Sequence, residues 1–253
     1  MDKRTSSFSA GPVRIRVTTA APAKAPKERL TRDRIVDAAL DQMREHGYEA
    51  VSMRSIARAL DTGPASLYAH VANREQLDQL LVERVTRLVP IPEPDPERWD
   101  EQLRTMLLDL LEVYRAHPGV ARATMGMIPT EPASLRAAEA LATLCRVGGI
   151  DDQHTAWALD MFSLYIGAVA VEEDIWIERA KAAAAAGETL DEEQMVAEVR
   201  SLFESLPEEQ FPALTSMAAV MTSGTGEDRV RFAVELLVAG LRAVSAGSGT
   251  AGG

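Results

Sequence analysis

Three hydrogen-bond donors stand at or near the starts of short predicted helices between residues 52 and 74. Ser52 offers a hydroxyl and a backbone N–H at the start of one helix, and Arg74 stands at the start of a later one. A helix N-terminus attracts anions because its first N–H groups are unpaired and the helix dipole is positive there. Arg54 is a long donor that can reach a phosphate or a base edge. The spacing therefore predicts contacts to nucleic-acid phosphates.

The helices that must carry these donors follow one another closely. Amphipathic helices are predicted over Thr31–His46 and Ser52–Leu60. The next helix begins at Pro64 and has a thin apolar stripe, Leu67 and Val71. Such a helix packs poorly alone. We expect its neighbours to hold it while its other face enters the DNA major groove, as in a helix-turn-helix.

This arrangement resembles the DNA-binding domain of the TetR family of transcriptional regulators. The resemblance covers about Leu30 to Leu88, and the run Leu67-Tyr68-x-His70-Val71-x-Asn73-Arg74 is its most specific part. Further matching residues are Ile35-Val36, Ala38-Ala39, Gly47-Tyr48, Val51-Ser52-Met53-Arg54, Ile56-Ala57, Leu60 and Leu77.

The resemblance implies roles for the recognition helix. Tyr68 would contact a phosphate, or it would be a half-buried aromatic that seals the motif; His70 would do the same or pack under Tyr68. Family members touch bases at five positions that are small and mostly apolar here: Gly63, Pro64, Ala65, Ser66 and Ala69. Because these side chains are short, we expect Arg54 and thymine-methyl contacts by Ala65 or Ala69 to carry more of the base readout.

From Trp99 to about Arg179 the chain resembles the tetracycline-repressor-type regulatory domain, through the run Tyr114–Arg122 and the long apolar helix after Asp151. The implied fold is all-α: an N-terminal three-helix DNA-binding domain followed by a larger helical ligand-binding and dimerisation domain.

The helices of this second domain are expected to surround a cavity for a small-molecule effector. Glu173 could meet a cationic or hydroxylated ligand, or it could face solvent beside Glu172 and Asp174. The apolar side chains could equally be core. The candidate ligand-binding residues are Tyr114, Met125, Met127, Trp157, Met161, Phe162, Tyr165, Glu173 and Trp176. This lining predicts a mostly apolar or aromatic effector.

Two apolar segments predict a homodimer. Residues 156–171 are apolar on nearly all sides, and Glu227–Ala246 carries one apolar face. Together they exceed what one subunit can cover, so a four-helix interface between two subunits is expected, as in the resembled family. The dimer would place two recognition helices roughly 34–36 Å apart on a palindromic double-stranded operator. The face comprises Val230, Ala233, Val234, Leu237, Leu241 and Val244.

Charge is distributed unevenly along the chain. The net charge is −11, yet residues 1–74 hold 13 Lys and Arg against 8 Asp and Glu. A basic N-terminal part on an acidic body turns that part toward phosphate. The predicted organisation is a disordered basic arm (1–29, either inert or contacting DNA), a helix-turn-helix domain (30–89), a Pro-rich linker (90–97), the helical regulatory and dimerisation domain (98–246) and a disordered tail (247–253).

Other classes of protein find little support. Cys145 is the single cysteine, which suits a reducing cytoplasm. The four histidines are scattered, and we find no metal-ligand spacing, cofactor loop or catalytic set. Residues 156–171 are shorter than the ~20 residues of a membrane span. The prediction is a cytoplasmic repressor without cofactor. Alternatives are a regulator controlled by a protein partner and, remotely, a helical enzyme fused to a DNA-binding domain.

Overall fold

The computed structural model describes residues 29–128 and 130–248, with side chains as far as residue 246, and this part of the chain contains helices and no strand. The all-α prediction is confirmed. A 3₁₀ turn, Tyr48–Ala50, follows the first helix. The α-helices are α1 Arg32–His46, α2 Met53–Ala59, α3 Pro64–Tyr68, α4 Arg74–Thr86, α5 Trp99–Ala116, α6 Val120–Thr124, α7 Pro132–Val147, α8 Asp152–Ala185, α9 Glu192–Glu204, α10 Pro212–Met221 and α11 Gly226–Ser248.

Side-chain caps fix the starts of α2 and α4. The Ser52 hydroxyl accepts from the N–H of Ser55, and the Ser55 hydroxyl accepts from the N–H of Ser52, which forms a capping box. Asn73 caps α4 by accepting from the N–H of Gln76. The sequence predicts a reciprocal bond from Gln76 to Asn73, but the Gln76 carbonyl accepts from the N–H of Ala72 instead.

The short helix α3 is held by Leu67 within it and by Val71, which lies three residues beyond its end and outside the helix predicted to include it. Leu67 and Val71 are fully buried, as are Ile35 on α1 and Ile56 on α2. The remaining side chains of α3 are exposed. This is the packing that the thin stripe predicts: two anchors on one side and a free face on the other.

The linker is fixed by one side chain of α5. The amide of Gln102 donates to the carbonyl of Glu93 at 2.7 Å and accepts from the N–H of Asp95 at 2.9 Å. The sequence predicts that Asp95 caps α5, but the helix begins at Trp99. The indole of Trp99 is buried over Gly148, where a Cβ would lie 2.2 Å from the ring. A cap at Asp95 would place the first helical residue at Pro96, and the packing of Trp99 favours a start three residues later.

The regulatory part is built around α5, α7 and α8, with α11 against α5 and α8. By length and composition α8 could cross a membrane, a property that core helices of soluble proteins share. Here it packs against four other helices, α5, α6, α7 and α11. Helices α9 and α10 pack on each other, and α9 contains no buried residue.

The face that α11 buries differs in part from the predicted one. Val230, Val234 and Leu241 are predicted to face the partner subunit, but they are buried within the single subunit, as is Val238, which lies outside the predicted face. Val244 is exposed. The buried residues recur every three or four positions, and burial of this face against α5 and α8 fixes the rotation of the helix. The helix also continues to Ser248, beyond the predicted end at residue 246.

Two arginines tie α5 to α11. Arg104 pairs with Asp100 on its own helix and with Glu235 on α11, and Arg242 on α11 reaches back to Asp100 at 2.7 Å. The described residues from Thr31 to Ser248 belong to one compact unit. The predicted boundary at residues 90–97 is therefore not visible as a break in packing and remains a prediction. The predicted arm (1–29) and tail (247–253) lie almost entirely outside the described residues.

Candidate nucleic-acid interface

The exposed side of α2 and α3 holds most of the predicted DNA-binding residues. Ser52 and Arg54 are exposed at the start of α2. Tyr68 is 53% exposed at the end of α3, and within the described chain its hydroxyl makes no hydrogen bond. Five small positions complete this surface, and all are exposed: Gly63, Pro64, Ala65, Ser66 and Ala69. The surface is therefore flat around α3, with its long donors on α2 and at Tyr68.

A second arginine lies on this surface. Arg58 follows Arg54 by one helical turn, and both side chains are exposed. Neither forms a hydrogen bond or an ion pair with any residue in 29–128 or 130–248. Most other arginines of the structure are paired with carboxylates or carbonyls. Arg58 was missed among the predicted contacts, although its four-residue spacing from Arg54 is a readable signal.

His70 lies at the edge of this surface. Its side chain is half-buried, and its backbone carbonyl accepts from the Nε of Arg32 at 2.9 Å. This bond joins the end of α3 to the start of α1. The half-buried side chain of His70 is compatible with both predicted roles, a phosphate contact or packing under Tyr68. The next residue, Val71, is fully buried.

Arg74 does not join the exposed surface. Its Nε donates to the Asp78 carboxylate at 2.9 and 3.1 Å, and the guanidinium also donates to the carbonyl of Val51. Its guanidinium carbon lies 4.2 Å from the centre of the Tyr48 ring. In this structure the guanidinium that was predicted to contact a phosphate is therefore held by groups of the protein. A carboxylate four residues on and an aromatic ring nearby draw the side chain inward.

The predicted effector residues occupy two environments. Tyr114 and Phe162 are buried in the bundle core, and burial raises the pKa of Tyr114 to about 12. The methyl group of Met125 packs over Gly167, where a Cβ would lie 2.5 Å away. Met127 and Tyr165 are half-buried, Met125, Met161 and Trp176 are between 39% and 41% exposed, and Trp157 is 63% exposed. In one subunit these side chains do not line a single enclosed cavity.

Glu173 is committed to an ion pair. Arg115 donates to both of its carboxylate oxygens, at 2.8 and 2.6 Å. Arg115 also reaches Glu112 and Glu227, so one guanidinium joins α5, α8 and α11. These carboxylates raise the pKa of Arg115. Neither predicted environment of Glu173, a free ligand contact or a solvent-facing side chain, describes this arrangement.

The buried carboxylate of this region belongs to the next residue, which sequence reasoning passed over. Asp174 is 6% exposed and accepts from the N–H of Gly119 at 2.7 Å. Burial raises its pKa. One turn further on, Glu178 pairs with Arg122 at 3.1 Å. Lys181 donates to the carbonyl of Arg44 at 3.2 Å, at the C-terminal end of α1. The second half of α8 thus contacts both α6 and the DNA-binding helices.

The similarity to known proteins agrees with this architecture. Residues 35–79 match the family model of bacterial regulatory proteins of the tetR family. Residues 91–245 match the tetracyclin repressor-like C-terminal domain, which is more than half of the chain. The chain belongs to the TetR family.

Relatives of this TetR-family chain are named as repressors and have been solved with small molecules. It is 29% identical to the HTH-type transcriptional repressor DrrR1 of Streptomyces coeruleorubidus, over 89% of this chain and 82% of that protein. Apo ActR from Streptomyces coelicolor is 34% identical, with a TM-score of 0.76 over 89% of this chain and all of the other. ActR in complex with actinorhodin is 35% identical, with a TM-score of 0.74 over 88% and 98% of the two chains.

In this TetR-family structure α4 connects the DNA-binding helices to the regulatory core. The Gln79 side chain donates to the carbonyl of Ile128 at 2.9 Å and accepts from the N–H of Thr130 at 3.3 Å. Glu83 is buried and accepts from the N–H of Ala133 at 2.7 Å. Two side chains of α4 therefore hold the loop between α6 and α7 and the first turn of α7.

Large apolar side chains of α8 and α11 remain exposed in the single TetR-family subunit. On α8 they are Trp157, Met161 and Leu164, and on α11 they are Phe232, Leu236 and Val244. Successive members lie three, four or eight residues apart, so each set forms a stripe along one helix face. Such stripes are typical of surfaces that another chain covers.

Proposed function

We propose that this protein is a homodimeric repressor that binds a palindromic operator and is released from it by a mostly apolar or aromatic small molecule. The observation that carries the proposal is the exposed face of α2 and α3 connected through α4 to the regulatory core. One surface is free for DNA, and the helix beside it is hydrogen-bonded to the loop that follows α6.

DNA contacts divide into positioning and readout. Ser52, Tyr68 and His70 would contact phosphates. Arg54 would reach a base edge, with Arg58 supplying a further charge. The small residues of α3 let its backbone approach the major groove closely, and Ala65 and Ala69 would meet thymine methyl groups. The other positions of this surface are Gly63, Pro64 and Ser66.

Dimerisation would use the exposed stripes of α8 and α11. Each of these stripes is apolar and lies on a long helix, so two copies related by a two-fold axis can bury both in a four-helix interface. A symmetric dimer explains why so short a reading surface suffices, because two recognition helices bind two half-sites one helical turn apart.

Effector binding would act on the helices around α8. ActR has been solved with actinorhodin, and the lining proposed here for the present chain is likewise rich in aromatic and thioether side chains. Tyr114, Phe162 and Tyr165 would form the inner part of the site, and Met127 would lie near its mouth. The more exposed members are Met125, Trp157, Met161 and Trp176. Glu173 would contribute only if its pair with Arg115 opens.

Release would follow from a shift of α4. An effector that binds one arrangement of α6, α7 and α8 more tightly than the other favours that arrangement. Because Gln79 and Glu83 hold the loop after α6, a displaced loop would pull α4 and change the spacing of the two recognition helices. We place this protein in the cytoplasm and assign it no enzymatic activity, since its family consists of transcriptional regulators.

Binding assays would test the proposal directly. Labelled duplexes covering the DNA beside its own gene would be titrated by fluorescence anisotropy, and a palindromic segment should bind more tightly than random DNA. Actinorhodin and tetracycline serve as aromatic probes, with a sugar phosphate as the anionic control. We expect release by an aromatic probe. Release by the sugar phosphate alone would contradict the effector class. Release by a protein partner, with no response to lipophilic compounds, would favour the alternative mode of control.

A further inference from the structure

We propose that Arg74 positions the recognition unit by joining the start of α4 to the segment that leads into α2, and does not itself bind a DNA phosphate. The inference rests on the proposed DNA-binding function and specifies how one of its helices is held in place.

Arg74 is part of a closed cluster of three side chains. Its Nε donates to Asp78 at 2.9 Å, and the Tyr48 hydroxyl donates to the same carboxylate at 3.0 Å. The guanidinium carbon lies 4.2 Å from the centre of the Tyr48 ring, so each member contacts the other two. Charge-assisted bonds and a cation–π contact are directional, and together they fix the guanidinium plane.

Two of the three nitrogens of Arg74 donate hydrogen bonds inside the protein, and the third is buried. Nε is bound to Asp78, Nη1 is bound to the carbonyl of Val51, and Nη2 is buried without a partner in the described chain. The side chain is 35% exposed, and the Tyr48 ring covers one face of the guanidinium. To reach a phosphate, this group would have to leave a carboxylate, a carbonyl and an aromatic ring together. Arg54 and Arg58 have no such partners.

The bond to Val51 gives the cluster its role. Val51 immediately precedes Ser52, which caps α2. Arg74 is the first residue of α4. The guanidinium therefore sets the distance between the starts of α2 and α4, and hence the orientation of α2 and α3 relative to the helix that meets the regulatory core. A shift of α4 would be transmitted to α2 through this contact.

The salt dependence of operator binding separates positioning from phosphate contact. Each lost phosphate contact lowers the slope of log Kobs against log salt by about 0.9. We expect Arg74→Ala to weaken operator binding by about tenfold or more, with the slope unchanged, because the loss lies in orientation and not in counterion release. Arg74→Lys keeps the positive charge but loses the paired guanidinium donors and the contact with the Tyr48 ring. Its operator binding should therefore be weakened to a similar extent.

Asp78→Asn is a second test, because the two possible roles of Arg74 predict opposite changes in DNA affinity for this variant. Removing a negative charge would strengthen DNA binding if Arg74 met a phosphate, because the arginine would be released. If Asp78 holds Arg74 in the cluster, Asp78→Asn should weaken binding, and its effect should not add to that of Arg74→Ala. Glu75→Gln, an exposed acid of the same helix turn, is the matched control and should leave binding unchanged or slightly stronger.

Hydrogen exchange gives a readout without DNA. Amides of residues 52–56 should exchange faster in Arg74→Ala than in wild type, while those of α8 should not change. Rescue of affinity by Arg74→Lys together with a slope lowered by about 0.9 in Arg74→Ala would overturn the inference. Failure of the wild-type protein to bind any operator would instead reject the proposed function. If Arg74→Ala does not fold, Asp78→Asn and Arg74→Lys still decide the question.

Discussion

The Glu83 carboxylate on α4 accepts a hydrogen bond at 2.7 Å from the backbone N–H of Ala133, in the first turn of α7. Arg87 holds the other carboxylate oxygen at 2.9 Å. The contact spans 50 residues of sequence and is buried. A negative charge at a helix N-terminus is favourable both for the unpaired N–H and for the helix dipole. This bond therefore ties α4 to the start of α7.

Removing this bond should destabilise the protein. Glu83→Ala leaves a buried N–H without a partner, which costs about 1–3 kcal/mol. Glu83→Gln keeps an acceptor and should lose less. Urea unfolding followed by circular dichroism measures the difference. Glu139→Ala, an exposed acid on α7, is the control. Equal stability of Glu83→Ala and wild type would show that the cap contributes nothing.

Arg58 should contribute a DNA contact. The Arg58 side chain is exposed beside Arg54 and forms no hydrogen bond or ion pair with the residues that the structure describes. If it contacts a phosphate, Arg58→Ala should lower the slope of log Kobs against log salt by about 0.9. If it meets a base, specificity at one position should relax instead. Arg136→Ala is the matched control, since Arg136 is exposed on α7 and has no described ion pair. Identical binding curves for both variants would remove Arg58 from the interface.

Leu236 should be needed for dimerisation. It is 59% exposed on α11, between Phe232 and Val244 in the stripe left open by the single subunit. Leu236→Arg should give folded monomers in sedimentation velocity, and operator affinity should fall because one half-site alone remains bound. Leu135→Arg, at a position 52% exposed on α7, should leave the dimer intact. An unchanged sedimentation coefficient for Leu236→Arg would place the interface elsewhere.

Asp174 should make stability depend on pH. Burial raises its pKa, and the hydrogen bond from the N–H of Gly119 lowers the pKa in smaller measure; nearby Glu178 raises it and Arg122 lowers it. The folded protein thus binds this proton more tightly than the unfolded chain does. The stabilisation is complete below the ordinary pKa of aspartate and is lost as pH rises through the raised value.

Replacing Asp174 by asparagine should remove this dependence, because the amide oxygen can still accept from Gly119 but cannot ionise. The melting temperature of Asp174→Asn relative to wild type should therefore be higher at pH 7 than at pH 4. Thermal melts across this range measure the change. Asp160→Asn, an exposed aspartate on the same helix, should show no such trend. A constant difference at both pH values would argue against the buried, ionised carboxylate.

Local features of this fold could be predicted from the sequence. The long apolar helix predicted after Asp151 is α8, Asp152–Ala185, and α7 has a proline at its start, Pro132, and a glycine, Gly148, just past its end. Caps, proline starts and glycine stops act within a few residues, so their signals are contained in the segments that they limit. The exposed surface around α3 could be predicted for the same reason. Its small exposed residues and the buried pair Leu67 and Val71 lie within the nine residues from 63 to 71.

The tertiary structure decided which side each charged residue faces. Glu173 and Asp174 are adjacent acids, yet one pairs with Arg115 and the other is buried against Gly119. Neighbours on a helix differ by about 100° in direction, and packing against other helices selects the rotation. The pairing of Arg74 with Asp78, four residues further along the same helix, could likewise be predicted from the sequence. Tyr48 and Val51 lie more than 20 residues earlier, and they contact Arg74 only in the folded chain. Contacts between distant segments depend on helix crossing, which no local pattern specifies.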